Sequence, residues 1–317
     1  MNIFRIIQLA MVVFGSVETA SANPIYSFTT IDVPGAASTT AAGINNSGQI
    51  VGVSSLGAFV DTGGNFTTVD VPGASNTYAY GINNSSQIVG TYQDAYFVAR
   101  GFLDTGGSFT TIDVPGARAT FAAGINDSGQ IVGEFAAAAG PSNPGFLDTG
   151  GNFITISVPG LIYTGAEYTH ASGINDTGQI VGYFRDAALI THGFLEVNGN
   201  FTTIDVPGAL YTFASGINDS GQIVGFFVDA FGSHGFVDTG GSFITIDRPG
   251  ALGTLGFGIN DDGQIVGDFI DVFGGAHGFV ASLVPEPSSL LALATCLVAL
   301  LGMAYRRKRR IAKEGGV

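Results

Sequence analysis

Three histidines, His192, His234 and His277, stand at one repeated position, each immediately before Gly-Phe. Imidazoles can act as general bases or as zinc ligands, but metal binding requires them to converge on one point. Spread over three separate repeats, they are read as structural groups at the start of a strand. His170 stands alone in a variable loop. Runs such as Ile125-Asn126-Asp127-Ser128-Gly129 set amide and carboxylate oxygens beside a glycine, which brings calcium into question. No further carboxylate follows at ligand spacing, and an Asx turn closed by a left-handed glycine accounts for the pattern equally well. Ser86 replaces that glycine in one repeat. Glycoside hydrolysis would need a carboxylate pair, and acyl transfer a nucleophile with its base, at one unique place. Asp113, Asp205 and Asp247 instead recur at a single repeat position, which points to architecture. The expectation is a chain with no catalytic residue, no metal site and no cofactor, calcium being the one cation its turns bring into question.

The elements that must position these groups repeat six times. Gly-Ile-Asn, a short turn and Gln-Ile-Val-Gly recur at Gly43, Gly81, Gly124, Gly173, Gly216 and Gly258. A period near 43 residues suits a four-stranded propeller blade. In each unit a first strand, as at Thr120 to Asn126, is followed by a second, as at Gln130 to Phe135. A third, as at Gly101 to Asp104, and a fourth, as at Phe109 to Val114, complete it. Asn-Asp-Ser-Gly and Thr-Gly-Gly supply the hairpin turns, and the proline of Asp-Val-Pro-Gly ends the fourth strand. The first recognisable strand, Phe28 to Val33, is of the fourth type, whereas the last, Gly278 to Ala281, is of the third. The fold expected is therefore all-β: a six-bladed β-propeller of four-stranded blades, closed by the N-terminal strand. An open β-solenoid is the alternative. Threonine four residues before each Gly-Ile-Asn glycine and alanine or glycine two before it form a period-two face, which is placed on the central axis.

In such blades the first-to-second and third-to-fourth turns share one face of the ring. The other two connections share the opposite face, and they are the variable ones. They carry Tyr92, Tyr96, Tyr163, Glu167 and Tyr168, together with Asp186. Aromatic rings beside carboxylates suit sugar stacking, so this face is expected to bind a glycan or another surface partner. A propeller enzyme acting on extracellular glycans is the competing reading.

The two ends speak of delivery. Residues 1–22 hold one early cation, Arg5, then an apolar run, then Ala20-Ser21-Ala22, the pattern of a signal peptide cleaved after Ala22 by an export pathway of the Sec type. Ser288 to Tyr305 is 18 residues without a charge, about 27 Å as a helix and long enough to cross a bilayer. Arg306, Arg307, Lys308, Arg309 and Arg310 follow it and are expected to stay cytoplasmic, leaving residues 23–284 outside. Within 23–284 four arginines face 22 carboxylates, an excess of 18 negative charges, and there is no lysine. Such a surface disfavours nucleic acid and anionic lipid. The one cysteine, Cys296, lies in the tail, so residues 23–284 fold without a disulfide.

Two family resemblances follow from these residues. The repeats resemble the HAF family of extracellular repeats, with Thr191-His192-Gly193-Phe194-Leu195 and its counterparts at His234 and His277. Gly57, Arg100 and Pro144 take the histidine's place in the first three repeats. The resemblance implies an exported repeat protein and no particular activity. Residues 285–317 resemble a PEP-CTERM sorting signal: Pro285, Glu286 and Pro287, then the apolar helix, then the basic cluster. This implies recognition by an exosortase, an inner-membrane intermediate, and delivery to the surface of a Gram-negative bacterium that makes an exopolysaccharide.

Overall fold

A computed structural model describes residues 26–139, 142–159 and 168–284 of the 317. The expected signal peptide with Ala20 and Ala22, the Pro285-Glu286-Pro287 motif, the membrane helix and the basic cluster 306–310 lie outside the described residues. So do Tyr163 and Glu167.

The described residues hold 24 strands in six antiparallel sheets of four. Blade 3 serves as the pattern: Ala119–Ile125, Ile131–Ala136, Gly145–Thr149 and Asn152–Ile156, paired in that order. Strand bounds differ from the sequence reading by a residue or two. The fourth strand stops at Ile112 rather than Val114 in blade 2, because the Val-Pro-Gly turn begins there. The sixth blade draws on both ends of the described chain. Tyr26–Ile31 pairs antiparallel with Ala276–Leu283, from Tyr26 opposite Leu283 to Ile31 opposite Gly278. A circle of blades closed this way leaves no sheet with a missing strand.

Each blade packs on the next through clusters drawn from both. Val89, Ile112 and Val114 of blade 2 meet Ala122, Ile125 and Phe146 of blade 3. This corrects the expectation for the Thr-Ala face of the first strand. Thr120 and Ala122 are fully buried in the joint with the preceding blade, and Thr120 Oγ1 accepts a hydrogen bond from Val114 N at 3.0 Å. The alternate positions, Phe121 and Ala123, line the axis instead. Close approach at the axis is left to the Gly-Ile-Asn glycines. A Cβ on Gly124 would lie 2.8 Å from Ser172 O and 3.0 Å from Gly173 Cα, and the same crowding passes from blade to blade until Gly258 meets Gly43.

Two closed hydrogen-bond rings lie just beyond these glycines. Asn126 Nδ2 donates to Asn175 O at 3.1 Å, and the equivalent bonds run through Asn218 and Asn260 back to Asn45 and Asn83. The next residue of each turn repeats the device: Asp127 N donates to Asp176 Oδ1, and Asp261 N closes that ring on Asn46. Because every asparagine side chain is buried and shared between two blades, the turn sequence Ile-Asn fixes blade-to-blade phase as well as the turn itself. The aspartates of the Asp-Thr-Gly-Gly turns are architectural too. Asp104 Oδ1 accepts from Gly107 N, and Asp148 and Asp238 do the same in their blades.

Candidate functional site

The asparagine turns and the Thr-Gly-Gly turns share one face, tied by Gln130 Nε2 to Thr149 Oγ1. The variable connections share the other. Along the axis the space is pinched at the glycines and at the asparagine turns, where cavities of only about 80 and 70 Å³ remain. Between the glycine ring and the variable face it widens to about 430 Å³.

The wide cavity breaks the sixfold repeat. Its wall holds Tyr80, Phe121, Phe213 and Phe257 from first strands, and Tyr183 and Phe226 from second strands. Phe213 stacks on Phe226 with centroids 4.4 Å apart, and Tyr183 meets Phe213 edge-on at 5.1 Å. One carboxylate and one imidazole enter this apolar wall. Glu134 follows the invariant Ile-Val-Gly of the second strand, and His170 alternates with the buried Thr169 and Ala171. Glu134 Oε2 and His170 Nδ1 are buried and have no hydrogen-bond partner. Burial drives Glu134 up to about 7, a hydrogen bond from Tyr168 opposing the rise, and drives His170 down to about 4. The Tyr168 ring packs beside that of Tyr183, with centroids 5.9 Å apart. The Arg185 guanidinium lies 5.4 Å from the Tyr168 ring centroid. At the same strand position in blade 6, half a ring away, Asp268 accepts from Thr40, a cavity-lining residue. Its second oxygen, Oδ1, is also buried and unpartnered.

Of the ligand-face residues expected from sequence, Tyr168 stands next to this site, its ring against that of the cavity-lining Tyr183. Tyr92 does not: it is half-buried against the blade 1–blade 2 core, and its hydroxyl bonds Thr111 Oγ1 at 2.9 Å. Tyr96 is exposed at a loop tip. Sequence reading singled out the variable face through its loops and did not name Phe121, Phe213, Phe257, Tyr183 or Glu134, which line the cavity. The available signal was variation inside constant strands. The residue after Ile-Val-Gly is in turn Val53, Thr91, Glu134, Tyr183, Phe226 and Asp268.

The repeated histidines sit on the same face but outside the cavity, as clasps. His277 Nδ1 lies 3.0 Å from Asp32 Oδ1 and its Nε2 lies 3.4 Å from Asp271 Oδ2, so one ring joins the second-to-third loop to the end of the fourth strand. His192 joins Asp186 to Asp205, and His234 joins Asp229 to Asp247. Arg100 plays the part in blade 2, with Asp94 at 3.1 Å and Asp113 on its other side. This is a structural use, and it also explains why Asp113, Asp205 and Asp247 recur. Among the described residues no group of three His, Cys, Asp or Glu side chains is spaced to hold a metal ion. In the asparagine turns Asn126 Oδ1 is already taken by Ser128 Oγ and Gln130 N.

The clasps give a pH prediction. The hydrogen bond that His277 donates to Asp32 leads the forces holding the imidazole above its ordinary value. At His234 desolvation pulls downward, and Asp247 and Asp229 together outweigh it. Backbone amides, from Gly275 and Phe231 respectively, hold Asp271 and Asp229 below the usual carboxylate range. A raised histidine stabilises fully below about pH 6.5, and that contribution is lost as pH rises through the folded value. The aspartates' share is lost only in acid. The melting temperature is therefore expected to fall between pH 6 and pH 8.5, and the fall should shrink in a His234→Gln, His277→Gln variant. A profile identical in the two proteins would show that the clasps add nothing.

No protein-family model matches the chain, and neither does any curated protein. Solved structures do. AofleA from Arthrobotrys oligospora, in a mutant form, is 12% identical with a TM-score of 0.47, over 82% of this chain and 87% of that one. The fucose-specific lectin from Aleuria aurantia is 10% identical with a TM-score of 0.42, over 84% and 97%. Trypanosoma rangeli sialidase is 9% identical with a TM-score of 0.43, over 89% of this chain and 62% of that one. At these identities the likeness is one of fold.

Proposed function

We propose that the chain is an exported, non-enzymatic binding propeller of the cell surface or extracellular matrix, which takes a carbohydrate through the axial cavity on its variable face. The observation that carries this reading is the cavity itself. Six first strands that are otherwise near-copies diverge at the positions facing it, and the divergence creates an aromatic wall of sugar-accommodating size.

Two further features support presentation on a surface. Leu56, Phe97, Leu189, Phe231 and Phe273 project from five second-to-third loops on the variable face, Phe231 and Phe273 with more than 90% of their surface exposed. Phe97 and Leu189 do so from left-handed backbone, with φ of 61° and 64°. Bulky residues at that φ cost about 1 kcal/mol or more, and burial gains nothing for an exposed side chain. A crown of this kind suits an adhesive contact. The second feature is where the propeller ends. Leu283 Cδ1 lies 3.8 Å from where a Cβ on Gly263 would be, on the asparagine-turn face. The last described strand, Ala276–Leu283, thus ends on the asparagine-turn face, away from the cavity. Delivery by Sec export and sorting by an exosortase, with exopolysaccharide as the matrix, remain part of the proposal on the strength of the sequence resemblance.

Retention of residues 23–284 on immobilised exopolysaccharide and on a glycan array tests the reading, with reducing-end release followed in parallel. Phe121→Ala and Phe213→Ala are expected to weaken retention at least tenfold, and Tyr92→Ala to leave it unchanged. Release of new reducing ends, or retention indifferent to both phenylalanines, would sink it.

A further inference from the structure

The chemistry of the cavity narrows what it holds. Its polar complement is small: the hydroxyls of Thr40, Ser172 and Ser215, two phenols, His170 and Glu134. No lysine, arginine, asparagine or glutamine lines it, so the donors that usually read ring hydroxyls of a neutral sugar are scarce. Anions are disfavoured, because the carboxylates at the cavity are Glu134 and, through Thr40, Asp268, whereas the nearby cation, Arg185, lies over the Tyr168 ring. Both offer a buried oxygen with nothing bound to it. A buried carboxylate oxygen without a partner is an unmet demand for a proton or a cation. The rest of the wall is Val53, alanines and six aromatic rings, whose faces attract cations, and residues 23–284 carry an excess of 18 negative charges.

We infer that the axial cavity binds an organic ammonium group, held against Glu134 and enclosed by the aromatic rings of Tyr80, Phe121, Tyr183, Phe213, Phe226 and Phe257. This rests on the axial cavity being the binding site, as proposed above, and names the ligand chemistry it takes. The ammonium could be carried by an amino sugar or by a choline substituent. Both present the same positive charge on a compact, partly apolar group, and the cavity of about 430 Å³ admits either. His170, held neutral by burial, and the phenols of Tyr168 and Tyr183 set no competing charge beside Glu134. Arg185 stays over the Tyr168 ring. Because Glu134 titrates near 7, with Asp268 also raised by burial, the carboxylate that pairs with the ammonium is progressively neutralised below that pH, and binding weakens there.

The test is NMR titration of residues 23–284, a piece that contains every ladder and every core cluster described above, following tyrosine and phenylalanine ring resonances. The probes are choline, its uncharged carbon isostere 3,3-dimethylbutanol, glucosamine and N-acetylglucosamine. The charged member of at least one pair is expected to bind tenfold or more tightly than its neutral partner, and which pair does so identifies the carrier. Glu134→Gln is expected to erase that preference while leaving the thermal melt in place. Equal binding of charged and neutral members, or a preference that survives Glu134→Gln, overturns the ammonium inference yet leaves the cavity as the site. No shift of cavity resonances with any probe removes both. Should Glu134→Gln fail to fold, the charged-against-neutral comparison on the unaltered protein still decides.

Discussion

A chain lacking residues 23–33 is expected to lose its cooperative melt and to associate through the open blade. Deletion removes all six residue pairs between Tyr26–Ile31 and Ala276–Leu283. It also takes Phe28 from the Phe279 ring, 5.3 Å away, and Asp32 from His277. The joint to blade 1 goes with it, since Val33 N donates to Thr39 Oγ1. What remains is a three-stranded sixth blade whose outer strand has a free hydrogen-bonding edge, a template for another chain. The loss should exceed about 4 kcal/mol, in the range reserved for disruption of a core or a buried network. Light scattering during size exclusion and a melt followed by circular dichroism would read it. A peptide of residues 23–33 added in trans should restore the monomer. A monomeric deletion variant with an unchanged melt would show that closure by this strand does not hold the ring.

The second large effect is expected at Gly133. Each first strand carries a bulge, between Ala122 and Gly124 in blade 3, and the glycine of Ile-Val-Gly faces it. A Cβ on Gly133 would stand 2.0 Å from Phe121 O and 2.8 Å from the Phe146 ring. The carbonyl belongs to the bulged strand, and Phe146 is fully buried, so neither can retreat. Gly133→Ala should therefore cost about 3–5 kcal/mol and abolish soluble expression or lower the denaturation midpoint steeply. Gly129→Ala is the control. That glycine has φ +78° but open space around it, and Ser86 already occupies the equivalent position at φ 60°. Its cost should be about 1 kcal/mol. Similar losses at both sites would refute the steric account.

Six blades, four strands to a blade and closure between strands from the two ends were legible because each depends on short-range rules. Alternation sets strand faces, Asn-Asp-Ser-Gly and Thr-Gly-Gly set hairpins, and a leftover fourth strand at one end must match a missing one at the other. The structural reading of His192, His234 and His277 was legible for the same reason: repetition at one strand position. Their aspartate partners were not named, since His277 pairs with Asp32 across 245 residues of chain.

The sequence by itself thus determined that a closed six-bladed ring would form, and which of its two faces carries the variable loops. Only the tertiary structure decided where the candidate ligand cavity lies. Alternation separates Thr120 and Ala122 from Phe121 and Ala123 but treats both faces of the strand alike. Which face turns to the axis depends on how the preceding blade packs. Gly101 and Ile112 of blade 2 close against Ala122, which seals the small face in the joint and turns Phe121 inward. The same packing brings Glu134, His170 and Phe213, from three different blades, around one space. Their proximity follows from the angle between neighbouring sheets, a quantity written in no single repeat.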